Sequence, residues 1–249
     1  MHRATAVLTS LLMTFALLAT AAPPEGGGWT KLFNGQDLSG WKVPEGDGGH
    51  WKVVDGVIDY DARSQAKGDK NLWSEKSYGD FVLHIEWRIK ETHGKYPMKV
   101  ILPDGSYKKD ESGKDIVKPT PNADSGVFLR GQGKSQVNIW CWPVGSGEVW
   151  GYRNDKNQPP ETRAAVTPNM KADNPVGEWN TFVITMRGDV LNVELNGKHV
   201  IEDARLMGVP QEGPIALQHH GGFNEKTGEY NAASSLVQFR NIYIKELEP

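Results

Sequence analysis

The stretch Ser125–Trp142, "SGVFLRGQGKSQVNIWCW", decides the fold, because it holds two runs of alternating residues around a turn. Ser125, Val127 and Leu129, then Val137, Ile139 and Cys141, are small or apolar. Phe128, Arg130, Gln136, Asn138, Trp140 and Trp142 are polar or aromatic. Successive side chains of a strand point to opposite faces, so this period of two predicts two half-buried strands. The apolar set faces a core. The other set offers planar donors and acceptors and flat indoles, which suit sugar hydroxyls and pyranose C–H faces better than the Lys, Glu and Thr of an ordinary solvated face.

The same period recurs outward from this stretch. "WKVVDGVIDY" (Trp51 to Tyr60) reads as a hairpin with Asp55-Gly56 at its turn. "DFVLHIEWRIK" sets Phe81, Leu83, Ile85, Trp87 and Ile89 against Val82, His84, Glu86 and Arg88. "NTFVITMRGDVLNVELNGKHVIED" reads as three strands joined at Gly188-Asp189 and Asn196-Gly197. "GPIALQHH" and "SLVQFRNIYIKEL" are two more, the latter with a slip of parity at Arg240-Asn241 that predicts a β-bulge. No run beyond the first residues keeps a helical period over about eleven positions. The expectation is an all-β chain, a two-sheet sandwich or jelly roll.

Residues 1–22 read as an export signal: Arg3, an apolar run from Ala6 to Leu18, and small residues before Pro23. The run is short for a membrane span, so a periplasmic or secreted protein without stable membrane insertion after cleavage is expected. Residues 23–249 then form one domain. Two stretches stand outside its strands: the Lys- and Asp-rich segment 91–123, with a polar hairpin around Asp104-Gly105, and the Pro- and Gly-rich segment 142–177, expected to be an ordered lid carrying Trp142, Trp150 and Tyr152. A net charge of −3 argues against nucleic acid as a partner. The single Cys141 permits no internal disulfide and shares the inward parity of Val137 and Ile139, which predicts a buried, inert thiol.

The parities opposite the core collect Glu86, Arg88, Arg130, Gln136, Asn138, Trp140, Gln218, His220 and Arg240. Taken singly each is a surface residue; as a set they form a candidate substrate face. No GxSxG, Ser-His-Asp spacing or phosphate loop is present. His219 and His220 point to opposite faces, with His220 toward the site and His219 toward a buried or edge position. Glu86 is the leading carboxylate, and Glu148, ahead of Trp150, a second candidate. No cofactor is firmly implied, and a divalent metal held by His220 with acidic residues stays open.

"WTKLFNGQDLSGWK", "LWSEKSYGDFVLHIEWRIK", "DSGVFLRG", "VGEWN", "LNGKHV", "GPIALQHHG" and "VQFRNIYIKEL" occur in the order and spacing of a bacterial family. Over nearly the whole of residues 23–249 the chain resembles the 3-keto-disaccharide hydrolase-like domain. That resemblance implies a concanavalin-like jelly-roll sandwich of two antiparallel sheets, and an exported enzyme acting on glycosides already oxidised to a ketone at C3 by a sugar 3-oxidoreductase upstream. It implies removal of the acidified C2 proton, an enolate held by cationic or amide donors, and elimination at C1, with net hydrolysis once water adds. On this face Glu86 or His220 is the expected base. Arg130, Arg88 and Arg240 are expected to stabilise charge. Gln136, Asn138, Trp140, Gln218, Glu148 and Tyr152 are expected to bind the sugar. Two rivals share the face: a non-catalytic carbohydrate-binding module and a conventional glycosidase. The chain departs from the family's usual pattern in the length of 91–123, in Gln136 where an acidic residue is common, and in His219 where Asp is common.

Overall fold

A computed structural model describes residue 24 and residues 26–248. The leader expected at residues 1–22 lies outside the described residues. In chain order the strands are β1 (Thr30–Lys31), β2 (Trp41–Lys42), β3 (Lys52–Val54), β4 (Val57–Tyr60), β5 (Leu72–Tyr78), β6 (Phe81–Ile89), β7 (Lys95–Lys99), β8 (Val117–Pro121), β9 (Asp124–Leu129) and β10 (Gln132–Trp140). Two short helices follow, α1 (Trp150–Arg153) and α2 (Pro160–Ala165). The chain continues through β11 (Asn180–Arg187), β12 (Val190–Leu195), β13 (Lys198–Arg205), β14 (Gly213–Leu217), β15 (Phe223–Asn224), β16 (Glu229–Tyr230) and β17 (Val237–Glu246).

Two antiparallel sheets make the sandwich. One runs β13-β12-β11-β6-β17-β4-β3, with β1 also on β17; the other runs β10-β9-β14-β5-β2. β14 lies between β9 and β5, far from both in sequence, so the second sheet is assembled by crossovers, as in a jelly roll. The apolar parities meet between the sheets. Leu83, Ile85, Phe182, Ile184, Val193 and Phe239 from one face Leu72, Val127, Leu129, Val137, Ile139, Ile215 and Leu217 from the other in one continuous core. Each fully buried side chain of this kind contributes about 1.5–3 kcal/mol.

Local chemistry sets the register. Asp55 and Gly56 have φ of 50° and 76°, and Asn196 and Gly197 have 52° and 76°, the paired positive values that a two-residue hairpin turn needs. In β17 the pairing with β6 slips between Arg240 and Tyr243, with Asn241 at φ 50°, which is the expected bulge. His219 faces inward, where its Nδ1 meets the Tyr60 hydroxyl, and burial pushes its pKa down to about 4. Cys141 is half-buried against the core, and burial pushes its thiol up to about 11.

Segment 91–123 folds into an arm. β7 pairs β8 from Lys95↔Pro121 to Lys99↔Val117, and the ribbon continues through bridges Ile101↔Tyr107 and Lys109↔Asp115. Ile101 packs with Trp140 and Val144, and the Tyr107 ring receives Lys99 and Arg153 at 4.7 and 5.2 Å. Segment 142–177 carries α1 and α2. Among the described residues no helix is long and apolar enough to cross a membrane.

Candidate functional site

The outer face of the five-stranded sheet is a grid. Register places Trp140 beside Asp124, Asn138 beside Gly126, and Gln136 beside Phe128. On the other flank Ala216 lies beside Phe128, the Gln218 N–H donates to the Gly126 carbonyl at 2.9 Å, and His220 approaches Asp124. The middle row is therefore Asn138, Gly126, Gln218, and its centre has no side chain. A Cβ at residue 126 would lie 2.4 Å from Gln136 Nε2 and 2.8 Å from Gln136 Cγ and Cδ. Glycine opens the hollow and lets the Gln136 amide lean across it.

This hollow is the floor of a cavity of about 550 Å³. Its polar floor is Asp124, Gln136, Asn138, Gln218 and His220; Phe128, Tyr96, Met98, Trp140, Trp142 and Trp150 supply ring and thioether walls. Three buried polar atoms on this floor have no partner: the donor Gln136 Nε2 and the acceptors Asn138 Oδ1 and Gln218 Oε1. A buried polar group without a partner costs on the order of 1–3 kcal/mol, so three in one hollow mark a place where water or a ligand completes the bonding. A smaller cavity of about 320 Å³ beside Cys141 and Lys171 holds one such atom, Trp87 Nε1.

Asp124 and His220 form a pair at one edge of the floor, with Oδ2 to Nε2 at 3.9 Å. The Asp124 side chain is 15% exposed, and burial pushes its carboxyl from 3.8 up to about 7 against the downward pull of His220. His220 Nδ1 lies 2.8 Å from the Ala233 carbonyl, which can only accept, so that nitrogen carries a proton and Nε2 faces Asp124 and the cavity. Ser235 ties the two backbones: its hydroxyl accepts from the His220 N–H at 2.8 Å and donates to the Asp124 carbonyl at 2.7 Å. The result is a carboxyl raised by burial next to an imidazole nitrogen that can accept a proton, beside one amide donor and two amide acceptors. Among the described residues no group of three or more His, Cys, Asp or Glu is arranged to hold a metal ion.

Of the residues expected from sequence, Gln136, Asn138, Trp140, Gln218 and His220 come together here. Six do not. Glu86, Arg88 and Arg240 lie on β6 and β17, which belong to the opposite sheet. Glu86 Oε2 accepts from Arg240 Nε at 2.6 Å and Oε1 from Asn241 at 2.9 Å, while Arg88 and Arg240 stack on Trp179. Their alternation is real, but their polar side is the outer face of the other layer. Arg130 is buried and donates to the carbonyls of Gly79, Gly188 and Pro210 and to Asp80, so it braces loops rather than meeting substrate. Its φ of 51° takes it out of the strand's alternation. Glu148 is fully buried against Arg153, and Tyr152 is in the core with its hydroxyl donating to the Met207 carbonyl.

Asp124 was missed. It shares the parity of Phe128 through Gly126, and the motif "DSGVFLRG" contains it, so extending the alternation one residue before Ser125 finds it. Trp150 lines the cavity because α1 docks tightly on β10: a Cβ at Gly151 would lie 2.4 Å from the Lys134 carbonyl oxygen. Tyr96 and Met98 arrive from the arm, which local patterning does not place.

A family model described as 3-keto-alpha-glucoside-1,2-lyase-like domain matches residues 28–245. Two solved structures of candidate glycosyl hydrolases from Parabacteroides distasonis share the fold. The first is 24% identical with TM-score 0.55, covering 88% of this chain and 84% of its own. The second is 20% identical with TM-score 0.54, covering 89% and 95%. Among curated proteins none matches.

Proposed function

The chain belongs to the 3-keto-alpha-glucoside-1,2-lyase-like domain family, a carbohydrate-active group, and from that premise we propose that it cleaves 3-keto-glycosides in the cavity on its five-stranded sheet. The observation that carries this reading is the cavity's composition: Asp124 is the only carboxylate among the described lining residues, and it stands beside His220 and three unpartnered amide atoms. A glycosidase acting on an unmodified sugar places two carboxyl groups across the scissile bond. A C3 ketone removes that need, because it acidifies C2–H and one base suffices.

In the proposed reaction the Asp124–His220 pair takes the C2 proton. The C2–H electrons form the enolate, whose oxygen receives the Gln136 Nε2–H. Asn138 Oδ1 and Gln218 Oε1 accept from sugar hydroxyls. Collapse of the enolate restores the ketone, forms the C1–C2 double bond and expels the C1 substituent. Water then adds across that bond, its hydroxyl to C1 and its proton to C2, for net hydrolysis. An oxidoreductase acting at sugar C3 must supply the substrate, and residues 1–22, read from sequence as an export signal, fit an exported enzyme in the same compartment.

The test is incubation of pure protein with a 3-keto-glucoside and its unoxidised parent in D2O. Turnover of the keto substrate alone, with one deuterium at C2 of the product, is expected. Cleavage of the parent overturns the reading in favour of a conventional glycosidase. Saturable binding of both without turnover overturns it in favour of a binding module.

A further inference from the structure

The cavity has a second half that the reaction at C1 and C2 does not use. We infer that this half receives a flat, apolar aglycone, an aryl group, rather than a second sugar; the inference rests on the proposed reaction for which group departs. The polar side chains are gathered on the floor. The rest of the lining is Tyr96, Met98, Trp142 and Trp150, with the small Ala232 and Ala233 and with Asn122 as the remaining amide. A pyranose could lay one C–H face on a ring, but beyond the floor its hydroxyls would find Asn122 as the one amide to bond.

The surface shows the same bias. Tyr96 and Trp150, 43% and 44% exposed, are the only strongly exposed Phe, Tyr or Trp side chains among the described residues, and both line this cavity. Isolated exposed apolar residues are ordinary, but two rings facing one slot are a site. Both are held in place. Tyr96 sits in register with Thr120 in the arm, and Trp150 opens a helix that Gly151 seats against β10. The Trp142 ring is stacked on Trp140 at 3.7 Å, so its plane is also set. With the backbone fixed and the Trp142 ring stacked, side-chain rotation at Tyr96 and Trp150 is the wall entropy left to lose when a flat ligand enters.

The acid–base inventory points the same way. The described lining holds no carboxylic acid beyond the Asp124–His220 pair, so a departing oxygen that needs a proton has to draw it from the same pair that took the one from C2. A sugar alkoxide leaves poorly without a proton. An aryloxide, whose phenol has a pKa of about 10, leaves without one. In that step the C1–O bond breaks, the oxygen keeps the electron pair, the C1–C2 double bond forms as the C3 carbonyl is restored, and solvent later protonates the aryloxide.

The experiment has a binding arm and a turnover arm. Calorimetric titration with unoxidised phenyl glucoside and with a glucosyl-glucose of the same anomer reads the wall without chemistry. Wild-type protein is expected to bind the phenyl glucoside at least tenfold tighter. Tyr96→Ala and Trp150→Ala, at exposed positions and checked by an unchanged unfolding midpoint, are expected to bring that ratio below threefold, and Trp150→Phe to keep most of it. Equal binding of the two ligands, or a preference that survives both alanine variants, overturns the inference whatever the turnover. The 3-keto forms of the same pair, assayed for kcat/KM, should show the aryl preference shrinking in the alanine variants. If neither keto form is turned over while the binding preference holds, the proposed reaction fails and the aryl site stands.

Discussion

Replacing Asp124 with Asn should make the protein more stable and nearly inactive, and the pH dependence of the first effect is the sharper test. Burial raises the folded carboxyl from 3.8 to about 7. A raised value means the fold keeps the proton: stability from protonated Asp124 is fully present below pH 4 and is lost as pH rises through 7. At about 1.4 kcal/mol per pH unit, the rise corresponds to a ceiling of about 4 kcal/mol at pH 8. The side chain is 15% exposed, so solvent screens part of this, and about 2 kcal/mol is the working expectation. Urea unfolding of both proteins at pH 4, 6 and 8 measures it. The two should nearly coincide at pH 4, and Asp124→Asn should gain about 2 kcal/mol by pH 8, while kcat/KM falls by about 10²–10⁴. A stability gap that does not change with pH, or one of opposite sign at pH 8, refutes the account of a carboxyl strained by burial. In His220→Gln the downward pull on the carboxyl is gone, so its folded value rises further and the stability lost between pH 4 and pH 8 should be larger than in wild type.

Gly126→Ala should drive the Gln136 side chain out of the hollow, lowering kcat/KM by about 10²-fold with the fold retained, as read by assay and circular dichroism. Glu86→Gln should leave kcat/KM within twofold of wild type, because Glu86 serves Arg240 and Asn241 on the far sheet; a large loss would return it to the chemistry. Arg130→Ala should cost about 3 kcal/mol in urea unfolding, through three orphaned carbonyls and Asp80, with little change in KM for protein that remains folded.

The site was half legible. Gln136, Asn138 and Trp140 are separated from Val137, Ile139 and Cys141 by parity alone, and Gln218 and His220 follow from the same rule in β14 and just beyond it. Asp124 was within reach of that rule and fell one residue outside the stretch to which it was applied. Glu148 and Tyr152 were unreadable for another reason: in a turn-rich segment there is no fixed period to say which way a side chain points. The long arm was readable as a hairpin but not as a wall, since its docking depends on Ile101 and Tyr107 meeting residues 40 or so positions later.

Alternation along each strand, the turn pairs Asp55-Gly56 and Asn196-Gly197 and the slip at Arg240-Asn241 were determined by sequence alone, because each depends only on neighbours a few residues away. Sheet membership was decided by the tertiary structure alone. β6 and β17 present a polar outer face as regular as that of β9 and β10, yet they pair in a different layer, so Glu86 and Arg240 finish on the far side of the core from Asn138 and His220. The physical reason is that parity divides a strand into inside and outside, whereas a sandwich has two outsides, and only long-range pairing chooses between them.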